Sequence, residues 1–184
     1  MKKNDAKKIA SATACLLLIC FVVTFAVSGT NAIFEDKIKD LEWGATQESM
    51  DELLPAESYE EFEAADGSSA YMALDSSGAT VGYVFITEAP GYGSSISVMT
   101  AISEGQVAGV NILDCSDETP GLGQNVANKD FLDQFPGVTA APNVTKGEAS
   151  GDNEIQAITG ATKSSDGVAN CVASALQLYE AVSQ

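Results

Sequence analysis

The residues best placed to do chemistry are hydroxyls gathered near the C-terminus, in Thr159-Gly160-Ala161-Thr162-Lys163-Ser164-Ser165. After them, Val168, Cys171, Val172, Ala175, Leu176, Tyr179 and Val182 recur at spacings of three and four, which marks one apolar face of a helix. The hydroxyl run therefore falls at a helix N-terminus. There, unpaired backbone N–H groups and the positive end of the helix dipole favour a capping oxygen or a phosphate. Gly160 and Ala161 carry almost no side chain, so another molecule can approach the Thr162 hydroxyl without obstruction. A plainer reading of the same residues is that Thr159 and Thr162 only cap the helix. A second copy of the pattern, Ser77-Gly78-Ala79-Thr80, lies between two strand-like runs with nothing helical after it, and a hairpin turn accounts for it.

Glu118-Thr119-Pro120-Gly121-Leu122-Gly123 forms a second constellation. Pro then Gly suits the central positions of a type II turn, and Gly123 adds freedom before the next helix. Such a loop is compact and leaves backbone N–H groups available to a ligand. Ala89-Pro-Gly-Tyr-Gly93 bends sharply between two strands. The chain has no His, no nucleophile beside a general base and no Cys spacing suited to a metal. Hydrolase and metalloenzyme chemistry are thereby disfavoured, and neither catalytic residues nor a metal site is expected. Cys115 and Cys171 are compatible with a disulfide or with two buried thiols.

Along the chain, runs rich in Val, Ile, Phe and Tyr at 59–64, 70–74, 80–87, 96–102 and 107–113 are separated by Gly, Ser and Asp turns. They predict an antiparallel meander of about five strands. Helices near 128–135 and 163–182 back it, an α+β arrangement. Residues 31–54 predict one or two amphipathic helical segments, with Ile33, Phe34, Ile38, Leu41, Leu53 and Leu54 as apolar positions.

Charge and hydropathy divide the chain further. Its formal charge is −17, and after Phe34 five lysines stand against 25 acidic residues. A phosphate backbone would be repelled, so no nucleic-acid partner is expected. From Ile9 to Phe34 there is no charged residue, and at about 1.5 Å per helical residue this run exceeds a hydrocarbon core of roughly 30 Å. Lys2, Lys3, Lys7 and Lys8 lie on its N-terminal side, which by the positive-inside rule keeps residues 1–8 in the cytoplasm. The expected layout is a tail at 1–8, a single-pass transmembrane anchor at 9–30, a helical, acidic stalk at 31–66 and an extracytoplasmic domain at 67–184. A cleaved signal peptide ending at Ala26-Val27-Ser28 is the competing reading, but the apolar run is longer than a usual signal core.

Thr159-Gly-Ala-Thr162 with Ser164 and Ser165 resembles the flavinylation motif of FMN-binding domains, and Glu118-Thr-Pro-Gly-Leu-Gly123 resembles the loop such domains carry beside the flavin. With Gly82-Tyr-Val-Phe85 and Gly91-Tyr92-Gly93, the resemblance covers about residues 70–184 and is closest to the G subunits of Rnf complexes, membrane ferredoxin:NAD oxidoreductases coupled to ion transport. The resemblance implies FMN joined covalently to Thr162 through a phosphoester, attached by a separate flavin transferase from FAD. It also implies flavin contacts from Thr159, Gly160, Ala161, Ser164, Ser165, Glu118, Thr119, Gly121, Leu122 and Gly123. The implied partners are the other membrane subunits, and the implied role is electron relay without stand-alone catalysis. Two positions depart from the family: Gln156 stands where an Asp often precedes the flavinylated Thr, and Ser116 where a His often precedes the loop. The C subunit of the sodium-pumping NADH:quinone oxidoreductase shares the motif, and a non-redox, membrane-anchored binding module is the alternative from another class.

Overall fold

The computed structural model describes residues 3–183, with side chains in the long first helix described at 13–28, 30, 44 and from 46 onward. The chain divides into two compact units, residues 1–46 and 47–184. Helix α1 (Lys3–Leu53) runs through the first and into the second.

In the first unit, the described side chains from Leu16 to Val27 leave their apolar surface open, with Phe21 73% and Phe25 72% exposed. Among the described residues no helix is long and apolar enough to cross a membrane. The remaining side chains of the expected anchor, at 9–12 and 29, lie outside the described residues, as do the expected apolar positions Ile33, Phe34, Ile38 and Leu41. The expected stalk is helical as far as Leu53, continuous with the apolar run.

The second unit is built on a meander of five antiparallel strands: β1 (Ser58–Glu63), β2 (Ser69–Leu74), β3 (Thr80–Pro90), β4 (Ser95–Ser103) and β5 (Gln106–Asp114), in that spatial order. Short turns make this order almost unavoidable. Asp75 accepts hydrogen bonds from the backbone of Ser77 and Ala79, pinning the β2–β3 hairpin, and this is the turn that holds the second Ser-Gly-Ala-Thr run. Alternation of side chains along the strands gives the sheet two apolar faces. On one, Phe85, Ile96, Val98 and Ile102 pack with helix α3 (Thr162–Val182). On the other, Val84, Met99 and Ala101 meet Met50, Leu53 and Leu54 at the end of α1.

Helix α3 buries Val168, Cys171, Val172, Ala175 and Leu176 as the periodicity predicts, while Tyr179 is half-buried and Val182 exposed. Leu178 is also buried, in the same core cluster. Thr87 donates a hydrogen bond to the Cys171 carbonyl (3.0 Å), and the Cys171 thiol donates to the Ile96 carbonyl (3.6 Å). Cys115 and Cys171 are both free thiols.

Between β5 and α3 the chain forms a 3-10 turn (Gly123–Ala127), the short helix α2 (Lys129–Leu132) and two three-residue strands, β6 (Asn143–Thr145) and β7 (Glu154–Gln156). The helix predicted at 128–135 is thus shorter, one turn followed by hydrogen-bonded turns through Phe135. The parallel β6–β7 pair has no counterpart in the sequence reading.

Candidate functional site

Three turns converge on the N-terminus of α3. The first is Pro90–Ser94 at the end of β3, closed by a hydrogen bond from Gly91 N–H to the Ser94 carbonyl. The second is Thr119–Leu122, closed by Leu122 N–H to the Thr119 carbonyl with Gly121 at φ 71°, the left-handed conformation that a type II turn requires of its third residue. The third is Ile158–Ala161, closed by Ala161 N–H to the Ile158 carbonyl with Gly160 at φ 82°. The first two were legible as turns and the third only as the approach to a helix; that they meet at one place follows from the docking of α3 on β3 and β4.

One side chain joins the first two turns to the helix. Glu118 is 2% exposed. Its Oε1 accepts hydrogen bonds from the backbone N–H of Tyr92 (2.8 Å) and Gly93 (3.0 Å), and its Oε2 accepts from the Ser164 hydroxyl (2.5 Å). Burial raises its pKa, but the bonds from Ser164, Gly93, Tyr92 and Ser94 outweigh that and hold the carboxyl below the usual range. It is therefore an ionised, fully engaged anion at neutral pH. A glycine at 123 is required for this arrangement, because a Cβ there would lie 2.5 Å from Glu118 Oε2 and 2.9 Å from Ser164 Oγ.

Ser165 performs the matching task for the third turn. Its hydroxyl donates to the Ala161 carbonyl (3.0 Å) and accepts from Ile158 N–H (3.1 Å), so the segment entering α3 is locked to the helix's first turn.

In front of this buried frame lies a cavity of about 520 Å³, inside the roughly 300–1,000 Å³ range of small-molecule sites. It is lined by Thr119, Leu122 and Gly123, by Gly160 to Ser164, and by Tyr92. Thr162 is the first residue of α3 and half-buried. Among the described residues nothing hydrogen-bonds its hydroxyl, and α3 has no side-chain cap, so the first-turn N–H groups face this space without a side-chain partner. Of the residues expected at the site, Thr162, Gly160, Ala161, Ser164, Thr119, Leu122 and Gly123 line the cavity. Thr159 and Gly121 are exposed and off its wall, Ser165 is buried beneath the helix entrance, and Glu118 lies behind the wall. The hydroxyl protons of Ser164 and Ser165 point inward to Glu118 and Ala161. The donors left for an anion are backbone N–H groups and the wall side chains of Thr119, Thr162 and Lys163.

The sequence reading assigned no site role to two wall residues, Tyr92 and Lys163. Tyr92 is 73% exposed, the signal being an aromatic at the apex of a Gly-Tyr-Gly turn. Lys163 directly follows the free hydroxyl.

The residues fit a phosphate-bearing planar ligand. The cavity is apolar where Leu122 and Tyr92 stand, and open backbone donors lie at the helix end. Comparison with known proteins agrees. A family model described as the FMN-binding domain matches residues 91–177. The chain is 40% identical over 114 residues to the G subunit of the Na(+)-translocating ferredoxin:NAD(+) oxidoreductase complex of Acetobacterium woodii, a match covering 59% of this chain and 54% of that protein. The match thus spans about half the length of that relative. It is 27% identical over 177 residues to the G subunit of the proton-translocating ferredoxin:NAD(+) oxidoreductase complex of Clostridium ljungdahlii, covering 96% and 94% of the two chains. The crystal structure of Shewanella oneidensis NqrC superposes with a TM-score of 0.52 at 23% identity over 56% of this chain and 52% of that one, a likeness of fold. The matched segment runs from the Tyr92 turn through the Glu118 loop into α3, and over those residues the chain is similar to the FMN-binding domain.

Proposed function

We propose that this chain is the electron-carrying G-type subunit of a membrane-bound, ion-translocating ferredoxin:NAD oxidoreductase of the Rnf kind, with FMN joined through a phosphoester to Thr162. The observation that carries this reading is the unpartnered Thr162 hydroxyl at an uncapped helix N-terminus, opening into a cavity walled by Leu122 and Tyr92. The full-length likeness to a G-type relative favours this complex over the sodium-pumping NADH:quinone oxidoreductase, whose C subunit shares the fold.

FMN supplies the electron chemistry; the protein binds, orients and tunes it. Thr162 would supply the hydroxyl oxygen of the phosphoester, with FAD as the flavin donor, AMP as the leaving group and a base on the flavin transferase taking the hydroxyl proton. Backbone N–H groups of the first turn of α3 receive the phosphate oxygens. Leu122 and Tyr92, both in the cavity lining, would hold the ring and limit its contact with water. Glu118 keeps the three turns in register from behind, while Ser165 holds the approach to Thr162. The carrier docks with other membrane subunits and needs no substrate of its own.

The anchor is read as a single span at residues 9–30, with residues 1–8 cytoplasmic and the flavin domain outside. Apolar side chains exposed all around the described part of the run support it, since such a helix is stable only when covered by lipid or protein.

Expression of the full chain with a flavin transferase and FAD, followed by denaturation and mass analysis, tests the covalent link. FMN mass on the peptide containing Thr162, absent from Thr162→Ala, is expected. A wild-type chain that binds no flavin under these conditions would overturn the reading and favour a non-redox binding module.

A further inference from the structure

The cavity's charge balance is not explained by the flavin contacts alone. In residues 47–184, three lysines stand against 21 acidic residues. One of those three, Lys163, is on the cavity wall. It occupies the first turn of α3, where the dipole disfavours a cation, and no acidic residue shares that turn. The inner side of the same turn is already occupied by a buried anion, since Ser164 donates to Glu118 at 2.5 Å. A phosphodiester at Thr162 therefore approaches a helix end whose positive potential is partly offset by Glu118. Reduction of the ring without full protonation brings a further negative charge into the same space. The cation that the wall provides against both charges is Lys163.

We infer that Lys163 is the flavin's local countercharge, a tuning residue that favours the reduced, anionic ring and holds its potential above the value the acidic domain would otherwise impose. This rests on the assignment of FMN to Thr162. Lys163 forms no bond in the reaction and takes up no proton; it acts through its field, which is appreciable over a few ångströms in a partly enclosed site and screened beyond roughly 10 Å.

The test uses the full chain loaded by the transferase, as wild type, Lys163→Gln and Lys163→Arg. Mass analysis first records flavin on the Thr162 peptide, and a spectroscopic redox titration then gives the potential. Lys163→Gln is expected to reduce the equilibrium constant for two-electron reduction by roughly threefold to tenfold, a fall of up to about 30 mV, with Lys163→Arg close to wild type. High salt should shrink the difference. Equal potentials in all three loaded chains would overturn the inference while leaving the flavin assignment intact. Loss of loading in Lys163→Gln with rescue by Lys163→Arg would support a countercharge that also receives the incoming phosphate, whereas loss in both would overturn a role based on charge. An unloaded wild-type chain fails at the mass step, which identifies the flavin assignment itself as the error.

Discussion

Replacing Glu118 tests whether the candidate site is built on a buried anion. In Glu118→Gln the amide oxygen still accepts from Tyr92 and Gly93 N–H, and the amide NH₂ can donate to a rotated Ser164 hydroxyl. Three bonds to a charged group, worth about 1.5–3 kcal/mol each, become neutral ones worth about 0.5–1.5. Relief of the cost of burying a charge offsets part of that loss. The expected destabilisation at pH 7 is about 2 kcal/mol. Glu118→Ala leaves two backbone N–H groups and a hydroxyl without partners, and at about 1–3 kcal/mol for each unsatisfied group, moderated by access to the cavity, costs about 4 kcal/mol. At about 3 °C per kcal/mol for a unit of this size, the melting temperature falls by about 6 °C and 12 °C. The folded-state pKa of Glu118 lies below its unfolded value, so its contribution is complete above the unfolded value of roughly 4.3 and disappears as pH falls through the folded pKa. Denaturant titrations of the full chain in mild detergent, at pH 7 and at intervals below 4.3, measure both effects. A Gln variant within about 0.5 kcal/mol of wild type, with an unchanged acid limb, would show that the carboxylate's ionisation contributes nothing to the site.

Two further outcomes follow from the packing behind the cavity. Thr100 is fully buried and among the described residues its hydroxyl has no hydrogen-bond partner, so isosteric Thr100→Val should raise stability by about 1 kcal/mol, read as a higher denaturation midpoint. Destabilisation instead would mean that the hydroxyl has a partner in solution. Burial pushes the Cys171 thiol up to about 11. Cys171 should therefore resist alkylation at pH 8 until the domain unfolds, and mass mapping showing its rapid labelling in the native chain would contradict its place under α3.

What was readable in advance was what depends on near neighbours in the chain. β-branched alternation interrupted by Asp, Ser and Gly turns located all five sheet strands to within a few residues, because each hairpin is closed by its own turn chemistry. The apolar period after Thr162 located α3, and Pro120-Gly121 located its turn, for the same local reason. The β6–β7 pair was not readable. Three residues carry too little period to mark a strand, and a parallel partner is chosen by surrounding packing. Glu118 was expected at the site, yet its place behind the wall depends on partners 26, 25 and 46 positions away, at Tyr92, Gly93 and Ser164. The sequence by itself determined the strands, the helix and the hydroxyl at its start. Only the tertiary structure decided which side chains face the cavity and which hold it from behind, because the docking of α3 across β3 and β4 brings the three turns together.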